Sequence, residues 1–440
     1  MRDILVAMII FGSLPAILYR PFWGIVMWCW ISYMVPHRMA WGFITHFPVA
    51  ATIGIVTIIA YVVSKEPKKL PVNGITVTLM MFVLWMLVTT LASPDPAVAW
   101  EQFDKVIKIQ FFTFLTLAML TSKERLHLVL WVVTLSIAFF GTKGGIYTLL
   151  RGGEGRVYGP PGGFFAGNNE VGLAILMVIP LLLYLRTTLD RLWKKHVISI
   201  IIVLCSIAVL GTQSRGAFVA IAALGVFIWW RNPHKIRNGM IIATLAFAGF
   251  WFMPSTWHER MDTVALAYEG TYDSSMEGRF NAWGFAVNIA SSNITGGSFS
   301  AFSPENFLRY APEPTDYHDA HSIYFEVLGE HGYIGLFLFL TVFILTWRCA
   351  GKLIRRYKRD PEHGWLASLS RYLQASLIAY AAGGTFLGLA YFDLPYHILA
   401  FIVAMDAYAK RLQAEGPATA NRRAILGKPG VTPALYGERD

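Results

Sequence analysis

The side chains best suited to chemistry stand at the edge of an apolar run. In DAHSIYFEVLGEHGYIGL (319–336), His321, Ser322, Glu326 and Glu330 precede FLFLTVFILTW. The latter reads as a membrane span. His321 opens a predicted helix, SIYFEVLGEH. A histidine in that place is either a satisfied polar residue or a general base working near neutral pH. Glu326 and Glu330 are i,i+4 neighbours on one helix face; they hold the histidine or a substrate, or they pack at the interface. Tyr324 stands in the same motif. His318 and His321, with Asp316 and Asp319, match no zinc pattern, since neither HExxH nor paired CxxC occurs. No metal and no cofactor are expected.

Cationic partners come from distant parts of the chain. Arg215 interrupts VLGTQSRGAFVAIAALG between two apolar runs. A charge at membrane depth costs roughly 2.5–3.5 kcal/mol on insertion scales, so it faces a cavity or a partner, or it snorkels to headgroups. A guanidinium fork there suits phosphate. Lys143, in AFFGTKGGIYTLL, is open to the same two readings. Arg156 is the phosphate candidate in the Gly/Pro-rich loop RGGEGRVYGPPGGFFAGNNEVGL (151–173). Asn168 and Asn169 in that loop either cap the next helix or bind sugar hydroxyls. Arg279 begins a predicted helix over 277–291, where backbone N–H groups favour anions. Phe280, Trp283, Ala286 and Val287 make an apolar stripe on it, read as a packing face. A second helix is expected over 257–268.

The elements that must position these groups are membrane helices. Hydrophobic residues make up 55% of the 440 and charged residues 15%, with mean hydropathy +0.49. Soluble chains carry about a quarter charged residues. Apolar stretches recur near 3–19, 22–35, 46–64, 74–92, 106–121, 127–149, 169–186, 197–214, 216–230, 239–253, 333–349, 372–390 and 397–409. The first two are short and joined by YRP, which gives about 12 spans. No small-residue cleavage site follows the first segment, so it reads as a span and not as a signal peptide. Cys29, Cys205 and Cys349 all fall in apolar segments, which speaks against a disulfide framework. The fold class is an all-α polytopic membrane protein with one large loop containing short helices.

Charge sets the expected orientation. Five alternate loops (65–69, 122–125, 186–195, 231–237 and 348–371) hold 19 Lys and Arg, against 7 in the intervening set. The first group is expected to be cytoplasmic and the second outward. The net charge of +10 is thereby explained without nucleic acid. His321, Arg279, Arg215 and Arg156 then share the outward face. The expected organisation is a transmembrane bundle over 1–253, an outward loop over 254–332 with the active-site residues, membrane helices over 333–409 and a flexible cytoplasmic tail over 410–440.

These motifs, in order, resemble the O-antigen ligases and the wider superfamily that includes the O-antigen polymerases. The resemblance rests on GNNEVGLAILMVIPLLL, LGTQSRGAFVA, SMEGRFNAWGFAV with TGGSFSAF, and DAHSIYFEVLGEHGYIGL. The N-terminal PFWGIVMWCWISYMVPHRMAWGF, SKEPKKLP and AWEQFDKVIKIQ resemble ligases of exosortase gene clusters assigned to O-glycosylation. The resemblance implies a metal-independent inverting glycosyltransferase of the bacterial inner membrane with a periplasmic active site. Its donor would be an oligosaccharide on undecaprenyl diphosphate and its acceptor a sugar hydroxyl of lipid A–core, both within the phospholipid bilayer. Carried over by motif, Arg215 and Arg279 would bind the diphosphate and His321 would take the acceptor proton. Arg156 and Lys143 are further substrate contacts, with Asn168, Asn169, Tyr324 and Glu326.

The residues converge on the same scheme. A departing diphosphate needs cationic stabilisation, which arginines supply without a metal. The driving force lies in the activated donor, which fits the absence of a P-loop. Two other readings use the same donor: an O-antigen polymerase, and an O-glycosylation or exopolysaccharide ligase. A lipid-linked glycan transporter is the non-enzymatic alternative, but the halves show no repeat and the polar residues gather at one face instead of the midplane.

Overall fold

The computed structural model describes residues 2–231, 234–255, 257–258 and 274–426. Among them there are helices and no strands. The chain begins with α1 (Arg2–Tyr19), α2 (Phe22–Met34), α3 (Val49–Val63), α4 (Gly74–Leu91) and α5 (Pro96–Met119). It continues with α6 (Lys123–Leu150), α7 (Asn168–Thr187), α8 (Leu192–Gly211), α9 (Arg215–Arg231) and α10 (Lys235–Phe252). After the gap come α11 (Ser274–Ser292), the short α12 (Pro304–Tyr310), α13 (Ile323–Tyr357), α14 (Gly364–Gly384) and α15 (Asp393–Leu426). Every predicted span has its helix. Past His258, the helix expected over 257–268 lies outside the described residues.

This is a multi-pass membrane protein. Six of the described helices are long and apolar enough to cross a bilayer: α1, α4, α6, α7, α8 and α13. Helices α2 and α3 are apolar but shorter. The outer surfaces are greasy: Ile4, Met8 and Leu18 on α1, and Met80 and Leu84 on α4, are exposed. In a bilayer such faces meet lipid at no hydrophobic cost. The centre is formed by α7, where nearly every side chain from Val171 to Leu185 is buried, and by the equally enclosed start of α15. Helices α6 and α8 pack closely because Gly145 faces the backbone of α8; a Cβ there would run into the Leu204 carbonyl.

Several helices begin or end away from the predicted boundaries, α5 and α15 among them. Helix α5 starts ten residues before its predicted span, because Asp95 caps it by accepting from Val98 N and Pro96 occupies its first turn. The added turns carry Glu101 paired with Lys105 and Asp104 paired with Lys108, an amphipathic extension of an apolar helix. Helix α15 runs on to Leu426, past the Lys410 boundary expected for a tail. Ala, Leu, Gln and Arg, all good helix formers, dominate that stretch. Residues 427–440 lie outside the described set.

The intervening loops meet at one end of the bundle. Ser93 Oγ lies 2.9 Å from Ser300 Oγ. Val157 N donates to the Gly211 carbonyl at 3.0 Å, and Asn168 Nδ2 donates to the Thr212 carbonyl at 2.9 Å. At the opposite end, Arg125 forms a two-bond pair with Glu66 at 2.6 and 2.9 Å, which holds that carboxyl below the usual range. Arg411 reaches the Thr121 carbonyl at 2.8 Å on the same side.

Candidate active site

Helix α11 fixes the loop that carries His321. Asn281 is buried, yet its amide is fully used: Nδ2 donates to the carbonyls of Glu313 and Asp316 at 2.8 and 2.7 Å, and Oδ1 accepts from Glu313 N at 2.8 Å. Burying an amide is tolerable only with such partners. Two residues on, the Trp283 indole donates to the Ala320 carbonyl at 2.9 Å and stacks on Phe325, centroids 4.8 Å apart. The face of α11 that enters the core is Ala282, Phe285, Ala286 and Ile289, whereas Phe280 and Val287 of the predicted stripe are largely exposed. The reason is that α11 is gripped from two sides. Phe285 stacks on Phe307 of α12, and Ala286 faces Gly329 of α13.

A second device sets the direction of α13. Its helical run is broken at Gly332, with φ 64° and ψ −171°, a conformation that favours glycine. The turn at 294–297 docks into the break: Gly297 N donates to the Gly329 carbonyl at 2.8 Å. A Cβ on Gly332 would run into the Ile294 carbonyl. His331, fully buried, locks the same corner through Thr89 Oγ1 at 2.7 Å, and its carbonyl accepts from Trp85 Nε1 at 2.8 Å. The short helix before the break is therefore kinked against the apolar run after it.

His321 sits just ahead of that short helix with φ 42°, in the left-handed region. A non-glycine residue held there is a strained position of the kind found at functional sites. The imidazole is half-buried. Burial holds its pKa below the ordinary 6.5, and Arg279 pushes in the same direction. Asp319 and Glu170 oppose the shift, and His318 adds to it. The net result is an imidazole that stays neutral at neutral pH, as a proton acceptor must.

His321 lines a cavity of about 430 Å³. Around it stand Glu101, Gln102 and Lys105 of α5, Glu170 from the first turn of α7, and Asp319. Glu326 and Glu330 of α13 join them, with Phe299 and Phe302 on the apolar side. Glu326 Oε2 accepts from Ala390 N at 3.1 Å, and Glu330 Oε2 accepts from the Tyr391 hydroxyl. The carboxylates are thus held by the segment that joins α14 to α15. His318 instead pairs with Asp316 at 2.9 Å. Among the described residues, no three His, Cys, Asp or Glu side chains converge closely enough to hold a metal ion.

The other predicted residues divide into two groups. Arg279 is close enough to His321 to act on its charge. Arg215 is the first residue of α9, and its neighbour Gly216 packs against Phe386, beside the Gly388 that lines the cavity. Arg156 is exposed, but the adjacent Val157 straps its loop to Gly211, four residues before Arg215. Asn168 ties α7 to α8 through Thr212, and Gly167 is the cap of α7; Asn169 is half-buried beside it. Lys143 is exposed on the face of α6 opposite the buried Gly144 and Gly145 and does not line the cavity. Tyr324 turns away from it, donating to the Ala381 carbonyl at 2.9 Å and lining an apolar groove between α13 and α14.

Four polar lining residues escaped sequence reasoning: Glu101, Gln102, Lys105 and Glu170. The first three lie ahead of the span read over 106–121, although Asp95-Pro96 is a legible helix start. Glu170 stands inside GNNEVG, where only the asparagines drew notice.

Residues 200–340 match the family model described as O-antigen ligase. The expected resemblance is met there, on a stretch holding Arg215, Arg279, His321, Glu326 and Glu330. Residues 1–190 match a family of unknown function (DUF5935), which includes Glu101 and Glu170. That match carries no function, so the N-terminal likeness to the exosortase-associated ligases stands as an expectation. No curated protein matches the chain. The cavity is therefore built jointly by the O-antigen ligase region, the N-terminal region and Gly388 beyond both.

Proposed function

We propose that the protein is a metal-independent, inverting glycosyltransferase of the O-antigen ligase type. It moves an oligosaccharide en bloc from undecaprenyl diphosphate to a sugar hydroxyl of lipid A–core at the periplasmic face of the bacterial inner membrane. In this reading 254–332 is the active-site loop between the bundle over 1–253 and the membrane helices over 333–409. The observation that carries it is His321: half-buried, left-handed, kept neutral beside Arg279, and set in the wall of a cavity large enough for a sugar.

The chemistry follows from a single displacement. The acceptor hydroxyl gives its proton to His321 as its oxygen bonds to the anomeric carbon. The bond from that carbon to the phosphate oxygen breaks, and the diphosphate leaves with the electron pair. Arg215 and Arg279 stabilise the charge that develops on it. Inversion requires the base and the leaving group on opposite sides of the anomeric carbon. Arg156 and Lys143 extend the cationic surface toward the donor headgroup. The His321 proton then passes to water.

The deciding experiment mixes purified protein, undecaprenyl diphosphate-linked oligosaccharide and rough lipopolysaccharide, with products read on a gel. A shifted lipopolysaccharide band is expected, unchanged by EDTA. Lengthening of the donor instead would make the protein a polymerase. The absence of both changes would overturn the reading for this acceptor.

A further inference from the structure

The charge of the cavity is opposite to what its cationic neighbourhood suggests. Among the described residues, five acidic side chains line it (Glu101, Glu170, Asp319, Glu326 and Glu330), against one cation, Lys105. That cation is already paired with Glu101 at 2.9 Å. Arg215 and Arg279 are not among the lining residues. A diphosphate is therefore unwelcome in this space, and the donor headgroup belongs on the arginine side of His321. The space behind the base is left for the acceptor.

Its walls are built for hydroxyl groups. Glu330 is more than nine-tenths buried, at 8% exposure, and its hydrogen bond uses Oε2. The bond to Glu326 likewise falls on Oε2. Oε1 of each has no hydrogen bond among the described residues, in side chains that line the cavity. Oriented carboxyl oxygens accept hydrogen bonds from hydroxyl groups, and the amide of Gln102 both donates and accepts. Phe299 and Phe302 supply an apolar wall against which a sugar ring packs.

We propose that this cavity is the acceptor site and that it selects a neutral, hydroxyl-bearing sugar while rejecting phosphorylated or carboxylated ones. The inference rests on the glycosyltransferase reading for the word acceptor; the sugar preference rests on the cavity itself. Discrimination here comes from repulsion: an anionic sugar would face Glu101, Glu170 and Asp319, with Lys105, already paired, as the one cation among the described lining residues. Glu101, exposed on the rim of α5, is the residue through which this charge can be changed without disturbing the core.

The test measures binding and transfer separately on the full chain in nanodiscs. Saturation-transfer NMR would compare methyl glycosides of glucose, galactose and mannose with their 6-phosphates. At least one neutral glycoside is expected to bind at least about tenfold more tightly than its phosphate. Glu101→Lys is expected to narrow that ratio by strengthening the phosphate, and Glu101→Gln to narrow it less. Equal binding of the two forms overturns the proposal, as does failure of all three neutral glycosides to bind, or a ratio untouched by Glu101→Lys. The transfer assay separates the two levels. A neutral-sugar preference without any transfer would sink the glycosyltransferase reading and leave the preference standing; transfer without the preference would do the reverse.

Discussion

The indole N–H of Trp283 reaches the carbonyl of Ala320 at 2.9 Å, so the residue before His321 hangs from α11 by one hydrogen bond. Trp283→Phe keeps an aromatic ring against Phe325 and removes that bond. A neutral hydrogen bond contributes about 0.5–1.5 kcal/mol net, so the melting temperature should move only slightly. Turnover should fall more, by roughly tenfold or beyond, because a base displaced by a fraction of an ångström loses its alignment. Kinetics at saturating donor beside a thermal melt check this. Unchanged turnover would show that the loop is positioned by Asn281 alone.

The acid limb of the rate profile should lie below pH 6.5. Burial and Arg279 both lower the His321 pKa from its ordinary value, so the imidazole remains an unprotonated base until the pH drops further than usual. The same sign applies to folding. The unfolded chain binds a proton that folded His321 refuses, so this group's contribution to stability falls as pH drops through 6.5 toward the lowered value. Glu170→Gln removes a carboxylate that raises the pKa, and should move the limb further down. Substituting Arg279 by Gln should move it up in whatever activity survives. A limb above 6.5 in the unaltered protein would contradict the assignment of His321 as base.

Gly332→Ala should be among the most damaging substitutions outside the reacting groups. The position has φ 64°, and an added Cβ runs into the Ile294 carbonyl. Strain of this kind costs about 1–3 kcal/mol before any clash is counted. The turn at 294–297 would have to withdraw from α13, moving Glu326 and Glu330 relative to Glu101. A lowered melting temperature together with lost transfer is expected. A variant that melts normally would mean that the break is not imposed by this contact.

The helices were legible because each apolar run had to become a span, and the positive loops grouped the remaining segments. Those segments do meet at one end, as Ser93 with Ser300 and Val157 with Gly211 show. What periodicity could not supply was rotation about a helix axis. GTKGG contains both a packing face and a cation, and only the approach of α8 decides that the glycines turn in and Lys143 turns out. The stripe on α11 failed for a related reason. Two partners grip that helix, and a polar residue, Asn281, is buried because backbone groups of the next loop satisfy it. Glu101 and Glu170 stayed hidden because a carboxylate on a helix end is ordinary until the fold sets it opposite a histidine from the other half of the chain.

Arg215 offers the sharpest separation of charge from geometry. It begins α9, and the adjoining Gly216 is pressed against Phe386. A side chain there is held at the end of the bundle where the loops converge. If it serves the diphosphate, Arg215→Ala should abolish transfer while the protein stays folded, since the backbone contact is made by Gly216. Arg215→Lys keeps the charge but loses the planar fork that grips two phosphate oxygens, so it should retain a small fraction of turnover. Because the developing charge on the leaving group is what the residue meets, the loss should fall on kcat more than on donor KM. Equal activity of the lysine variant and the unaltered protein would reduce Arg215 to a general electrostatic role. Full activity of the alanine variant would remove it from the reaction, leaving Arg279 as the arginine that acts on the base.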